Sequence, residues 1–178
     1  MISVTEWDTC ADEVIVKTME QILEYGFTTT WVFDPEGVGT SFAYTAGMML
    51  GDPHPELVIM GLGHQVTHEL FWGVFNRIQD GEFIQPGPDH GVLGAGLVGY
   101  WIEVDVVTHW DDYPLSMAKL AMETLGHPIE VVPTEPADVK ALQFVWPDEA
   151  NRLPWQDGFN PKFIDKQPLL GTPPTEES

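Results

Sequence analysis

The sequence predicts an α+β domain in which a curved, mostly antiparallel sheet or partial barrel carries about three helices on its outside. At 178 residues the chain is long enough for one domain with a real hydrophobic core. Segments with the apolar spacing of helices are separated by groups of short strand patterns. This order matches neither regular βαβ alternation nor an all-β protein. We expect a single domain over residues 1–171 and a disordered polar tail over residues 172–178.

Three segments have helical spacing of their apolar residues. The first covers residues 9–25 and stops at Gly26, and the second covers residues 64–80 and stops at Gly81. The third begins after Asp111 and Asp112 and ends at Gly126. The core-facing stripe predicted for the second helix consists of Val66, Leu70, Phe71, Val74, Phe75 and Ile78.

The strand signals surround these helices. Residues 27–33 alternate in polarity, and after a turn at Asp34–Gly37 residues 42–46 are expected to pair back as a hairpin. Residues 57–62 form a continuous apolar run, which is typical of a strand buried on both faces. The remaining strand candidates are residues 82–85, 100–107, 129–132 and 142–146.

The loop between the two central strands holds a histidine and an acid between apolar segments. His54 and Glu56 flank Pro55, and residues two apart in an extended segment point to the same side. A histidine beside a carboxylate can perform general acid–base catalysis when both face a pocket. The alternative is structural: Glu56 caps a backbone turn and His54 lies on the wet surface.

His64 and His68 are the candidate metal ligands, since their i, i+4 spacing places two imidazoles on one helix face. A third ligand would come from elsewhere, with His90 and His109 as the candidates. No catalytic glutamate lies between the two histidines, so the alternative is that they are ordinary residues at the edge of the apolar stripe.

Two further groups are weaker candidates for chemistry. Glu103 and Asp105 share one strand face and could act as paired carboxylates, or they form the solvated face of a half-buried strand. Cys10 lies near a helix start, where the pKa of a thiol can be lowered, but no histidine partner is close in sequence.

The tryptophans at 146 and 155 suggest a stiff, proline-rich lid over the sheet, which either closes the core or walls a ligand pocket. The predicted ligand-binding residues are therefore those of the central strands and of this lid: Tyr44, Thr45, His54, Glu56, Trp146, Asp148 and Trp155.

Charge and composition limit the partners. With 28 acids and 7 bases the net charge is −21, which repels nucleic acid and anionic membranes and favours a basic protein surface, or serves solubility alone. No apolar run reaches the length of a membrane span, and the first six residues do not resemble a secretory signal. A single cysteine is typical of a reduced, cytosolic protein.

Three segments resemble the bacterial domain-of-unknown-function family numbered 4262. They are residues 25–27 with 42–47, residues 54–62, and residues 142–148 with 153–155 and 167–170. The resemblance implies no established activity. Independently of the family, we expect a cytosolic bacterial or phage-borne protein that acts through binding, either of a small ligand under the tryptophan segment or of a basic partner through its acidic surface.

A second, weaker likeness leads to the alternative function. Thr45, Pro55, Leu57 and Val58 are similar to the loop and strand of flavin reductase-like split barrels, whose loop helps to hold the flavin phosphate. This likeness implies a flavin-binding, oxidoreductase-like protein. Against it, no basic residue lies between Lys17 and Arg77, so a phosphate there would rest on backbone N–H groups alone.

Overall fold

A computed structural model describes residues 4–33, 39–49, 54–109 and 139–175. Two α-helices lie in this part of the chain, α1 (Val4–Tyr25) and α2 (His64–Gln79). A short 3-10 helix covers Pro161–Phe163. The strands are β1 (Thr28–Val32), β2 (Phe42–Ala46), β3 (Glu56–Met60), β4 (Gly87–Asp89), β5 (Gly99–Glu103) and β6 (Ala141–Val145).

The strands form one open sheet in the order β1-β2-β3-β6-β5-β4. The β3–β6 pair is parallel, with Leu57 opposite Leu142, and the other four pairs are antiparallel. The predicted α+β class with a mostly antiparallel, partly barrel-like sheet is confirmed. So is the hairpin of β1 with β2, in which Thr30 lies opposite Tyr44.

The two helices cover opposite faces of the sheet. Met19 and Ile22 of α1 pack with Tyr44, Val58 and Met60. The α2 face holds a second cluster, which includes Phe71 and Val74 of the helix with Ala43, Leu57, Ile59, Leu142 and Phe144 of the sheet. Alternate residues of β3 therefore enter different clusters, as the pleat of a strand requires. All five residues of β3 are buried, which confirms a strand covered on both faces.

The apolar stripe of α2 begins one residue later than predicted. Val66 is 47% exposed, whereas Thr67 is buried with Leu70, Phe71, Val74 and Ile78. The polar side chain of Thr67 can be buried because its hydroxyl donates a hydrogen bond to the Gly63 carbonyl at 3.1 Å. This hydrogen bond allows the polar Thr67 to be buried, whereas the polarity of the residues alone had placed Val66 in the buried stripe.

The strand predicted at residues 82–85 is also wrong. Ile84 is buried, but its backbone N–H bonds to a histidine side chain rather than to a neighbouring strand, and the strand β4 begins at Gly87. β5 ends at Glu103 rather than at residue 107, because the Asp105 N–H leaves the sheet and donates to the Leu170 carbonyl at 2.8 Å.

Other predictions lie outside the described residues: the turn at Asp34–Gly37, the third helix, the strand at residues 129–132 and the last three residues of the tail. Within the described part, no helix is both long enough and apolar enough to cross a membrane.

Candidate functional site

One edge of the sheet gathers most of the polar residues that the sequence singled out. β2 and β5 end at this edge, and the parallel strands β3 and β6 begin there, since Glu56 lies opposite Ala141. The connections from β2 to β3 and from β5 to β6 therefore both meet this edge. Such a meeting of loops on a rigid sheet is a common place for function.

Glu56 is fully buried at this edge, and its carboxylate accepts hydrogen bonds from the end of β2. The Thr45 hydroxyl donates to Oε2 at 2.6 Å, while the backbone N–H groups of Gly47 and Met49 donate to Oε1 at 2.9 and 3.3 Å. The prediction that Glu56 caps a backbone turn is therefore confirmed. Burial raises the pKa of Glu56, and these hydrogen bonds lower it only in part.

Thr45 has a second role in the same network. The Leu57 N–H donates to the Thr45 hydroxyl oxygen at 2.8 Å. The Thr45 hydroxyl oxygen therefore accepts from Leu57 while the hydroxyl proton is donated to Glu56. The Thr45 hydroxyl thus accepts the hydrogen bond of the Leu57 N–H in place of a backbone carbonyl, at the point where β2 and β3 separate. Thr45 and Glu56, both predicted as site residues, therefore hold this edge of the sheet together.

His54 is buried, with an exposed fraction of 2%, so the prediction of a wet surface position is wrong. Its ring bridges two backbone groups: Nδ1 lies 2.8 Å from the Pro55 carbonyl oxygen, and the Ile84 N–H lies 3.2 Å from Nε2. Since the Ile84 amide can only donate, Nε2 accepts. The proton of a neutral ring therefore sits on Nδ1, where it is donated to Pro55.

These hydrogen bonds direct His54 and Glu56 to different partners. A general base needs a ring nitrogen that can take a proton from a substrate. In His54 both nitrogens already bond to the backbone, and in Glu56 both carboxylate oxygens accept from the β2 end. These hydrogen bonds give both side chains a supporting role in the backbone at this edge, and the acid–base function of His54 and Glu56 stays a prediction.

A pocket of about 360 Å³ lies beside His54 on this edge. The wall includes the Phe83 ring, whose centroid is 5.3 Å from that of His54. The lining is mostly apolar, and the described residues that form it are Met49, His54, Pro55, Phe83, Ile84, Gln85, Pro86, Glu103, Lys140, Ala141 and Leu142. The volume is typical of a small-molecule site.

Glu103 and Lys140 bring one charge of each sign to this pocket, and both are exposed. Lys140 therefore supplies a positive charge that the sequence stretch between Lys17 and Arg77 lacks. Asp105, the predicted partner of Glu103, lies beyond the end of β5. Hydrogen bonds from the Thr108 hydroxyl and N–H lower the pKa of Asp105.

The remaining predicted ligand-binding residues lie in separate parts of the molecule. Tyr44 is buried in the α1 cluster, and burial raises the pKa of its phenol. Trp146 is buried in the α2 cluster, where its indole N–H donates to the Met60 carbonyl at 2.8 Å. Trp155 packs edge-on against Tyr100, with ring centroids 5.3 Å apart. A shared site for the two tryptophans stays a prediction.

Asp148 organises the loop that joins the tryptophans. Its Oδ1 accepts from the Ala150 and Arg152 N–H groups, both at 2.9 Å, and its Oδ2 accepts from the Asn160 N–H at 3.0 Å. Burial favours the neutral acid, but these donors prevail and lower the pKa of Asp148. The side chain thus holds residues 148–160 as one compact loop.

The exposed histidines of α2 stack with parallel rings, and the centroids of His64 and His68 are 6.3 Å apart. Within the described residues there is no group of three or more His, Cys, Asp or Glu side chains that could hold a metal ion. A third ligand for this pair is thus not found among them. The side chain of Cys10, in α1, lies outside the described part.

Three polar groups that the sequence analysis did not select are central to the structure. Asp89 accepts from the Arg77 guanidinium and from the Trp101 indole N–H, each at 2.8 Å. Gln143 and Gln167 are buried and tie the C-terminal segment to β6 through Leu170 and Trp146. A lone polar residue inside an apolar strand, as Gln143 is, was the available signal.

The comparisons with known proteins place the chain in a family. The sequence model of a family described as a domain of unknown function (DUF4262) matches residues 21–160. No curated protein and no solved structure matches the chain. The matched range contains both central strands and every described lining residue of the His54 pocket.

Proposed function

The chain belongs to the DUF4262 family, and we propose that it binds a small, mostly apolar molecule in the pocket beside His54. The observation that carries the proposal is the pocket itself, with about 360 Å³ at the edge where β3 and β6 begin. An apolar pocket with a few polar groups, placed where loops leave a sheet, is the usual form of a ligand site.

The lining suggests the chemistry of the ligand. Phe83, Ile84 and Leu142 offer apolar surface, whose burial contributes roughly 25 cal/mol for each Å² removed from water. The charged lining groups in the described part are Glu103 and Lys140, which are exposed. A ligand with an apolar body and one polar end directed toward these two side chains fits this arrangement.

The hydrogen bonds of His54 favour binding over acid–base catalysis. Its ring nitrogens bond to Pro55 and Ile84 across 30 residues of sequence, which fixes the wall of the pocket. A wall that is rigid before binding reduces the entropy cost of ligand association. We therefore assign His54 a positioning role.

Titration with the neutral fluorescent probe N-phenyl-1-naphthylamine tests this proposal. Phe83→Ala removes an exposed aromatic wall of the pocket and is expected to weaken probe binding roughly fivefold. Leu23→Ala, on the surface of α1, is the matched control because Leu23 is 70% exposed and Phe83 is 60% exposed. Equal affinities for the wild type and the Phe83 variant would contradict the proposal.

Mass spectrometry of the purified protein can identify a natural ligand. A compound retained under native conditions and released on denaturation gives the chemical class directly. The same spectra of the Phe83→Ala protein should show less of it. A compound retained equally by both proteins argues for a site elsewhere.

A basic protein partner is the second candidate, supported by the net charge of −21. An electrostatic partner binds less tightly as salt screens the charges. Pull-down at low and high salt tests this, and a set of captured proteins that does not change with salt counts against it.

The flavin alternative is tested by absorbance. A flavin-binding protein is purified yellow or shifts the spectrum of added flavin mononucleotide. Colourless protein that leaves the flavin spectrum unchanged rules this function out.

A further inference from the structure

A second pocket, of about 510 Å³, lies at the opposite edge of the sheet, where β1 and β3 end and β2 begins. It is more open and more polar than the pocket beside His54. Its described lining comprises Trp31, Phe33, Gly39, Thr40, Ser41, Gly61, Leu62, Gly63, Lys162, Asp165 and Lys166. The family match ends at residue 160, so the two lysines lie beyond the matched range.

The lysines are brought to this pocket by tertiary contacts of the C-terminal segment. The Thr40 hydroxyl donates to the Asp165 carbonyl at 2.8 Å. The backbone of Lys166 lies against Gly61, where a Cβ atom would come within 2.1 Å of the Lys166 carbonyl oxygen. Phe163, between the lysines, packs edge-on against Trp146 with ring centroids 5.2 Å apart. The segment that carries both ammonium groups is therefore anchored.

Lys162 and Lys166 bring two positive charges to this pocket in a chain of net charge −21, and the Lys166 ammonium lies 5.7 Å from the centroid of the Phe163 ring. Of the 7 bases in the sequence, Arg77 and Arg152 are held in ion pairs with Asp89 and Asp148. In the described part of the chain, neither Lys162 nor Lys166 is joined to a carboxylate by an ion pair. The helix α2 begins after Gly63, which lines this pocket, and its first turn contains no acid either.

An aromatic wall faces the same space. The rings of Trp31 and Phe33 stack with centroids 5.4 Å apart and an angle of 12° between their planes, and Phe33 is 57% exposed. The indole N–H of Trp31 is buried and has no hydrogen-bond partner among the described residues. This wall can therefore offer a flat apolar surface to a ligand.

We propose that this pocket binds a flat ring that carries an anionic group, with the ring against Trp31 and Phe33 and the anion near Lys162 and Lys166. Carboxylate, sulfonate and phosphate share the required charge. The proposal is independent of the ligand beside His54, because the two pockets have no described lining residue in common and lie at opposite edges of the sheet.

Two fluorescent probes with the same rings but different charge separate the contribution of the ring to binding from that of the anionic group. 1-Anilinonaphthalene-8-sulfonate carries a sulfonate on the same ring system as neutral N-phenyl-1-naphthylamine. The double variant Lys162→Gln/Lys166→Gln is expected to weaken binding of the sulfonate probe roughly fivefold and to leave the neutral probe unchanged. Lys162→Arg/Lys166→Arg keeps both charges and should retain most of the affinity.

Lys17→Gln is the charge-matched control. Lys17 is exposed on α1 and is not among the described lining residues of either pocket, so its loss should leave the affinity for the sulfonate probe unaltered. Thermal unfolding of every variant checks that the fold is retained. The proposal is overturned if the double lysine variant binds the sulfonate probe as the wild type does, or if Lys17→Gln causes an equal loss.

Discussion

The Thr45 hydroxyl donates a 2.6 Å hydrogen bond to the carboxylate of Glu56, a side chain with no exposed surface. Thr45 is the last but one residue of β2 and Glu56 begins β3, so the bond closes the edge of the sheet where the backbone ladder between the two strands has stopped. A buried acid at this position makes the stability of the edge depend on pH.

Glu56 is expected to lower the stability of the fold as pH rises above about 4.5, the ordinary pKa of a glutamate. Its folded pKa is raised, so the folded state keeps the proton after the unfolded state has lost it, and stability falls until the folded group also ionises. Glu56→Gln cannot ionise. The free energy of unfolding of the wild type minus that of the variant should therefore decrease above pH 4.5, by at most about 1.4 kcal/mol per pH unit. A flat difference in urea titrations across this range would contradict the raised pKa.

His54→Phe is expected to destabilise the protein by roughly 2 kcal/mol, because the buried Ile84 N–H loses its acceptor. His54→Gln, which offers a side-chain oxygen, should recover part of the loss. Urea unfolding gives the free energies, and hydrogen exchange of the Ile84 amide reports the local bond. Unchanged exchange in the Phe variant would show that the amide has another partner.

Asp89 and Glu82 bind the same arginine but differ in burial. The side chain of Asp89 is 3% exposed and that of Glu82 is 48% exposed. Asp89→Asn is expected to cost roughly 3 kcal/mol, since it weakens a buried ion pair, whereas Glu82→Gln should cost less than about 1 kcal/mol. Chemical denaturation of the two variants measures the contrast. Equal losses would indicate that Arg77 depends on both carboxylates alike.

The same network predicts a response to acid. Burial alone would raise the pKa of Asp89, but hydrogen bonds from Trp101, Gly91 and Arg77 lower it overall. An acid with a lowered folded pKa contributes stability above its ordinary value of 3.8, and this is lost as pH falls through the folded value. The free energy of unfolding of Asp89→Asn should accordingly fall less steeply at acid pH than that of the wild type.

Gly99→Ala is expected to destabilise the sheet by about 3 kcal/mol, because the new Cβ would lie 2.1 Å from the Phe144 ring. Phe144 is fully buried, so its ring has no room to withdraw. Gly73→Ala is the matched control: apart from its chain neighbours and the backbone of α2 itself, no described atom lies within 4 Å of its Cβ position, and the change should stabilise the helix by about 0.5–1 kcal/mol. Melting temperatures of the two variants should move in opposite directions.

Most of the fold could be predicted because its main elements have strong periodic signals. The alternation in residues 27–33 and the turn that follows predicted the hairpin of β1 and β2, and the unbroken apolar run from Leu57 predicted a strand buried on both faces. The signals failed where a side chain replaced a backbone partner. Ile84 looks like a strand residue, but its amide bonds to His54, 30 positions away.

The candidate site was predicted only in part. His54 and Glu56 stood out in the sequence as polar residues between apolar strands, and both do lie at one edge of the sheet. Their separate partners, Ile84 for one and Thr45 for the other, depend on how loops cross that edge. Lys140 and Phe83 could not be placed beside His54, because nothing in their own neighbourhood indicates a pocket.

The sequence by itself determined the local elements and the excess of negative charge, since these follow from hydrophobic period, turn residues and composition. The tertiary structure alone decided which charges and rings meet. Lys162 and Lys166 come to Trp31 because the C-terminal segment docks through Thr40 and Gly61. Such contacts join residues more than 100 positions apart, so their energy depends on the packing of the whole chain rather than on any local pattern.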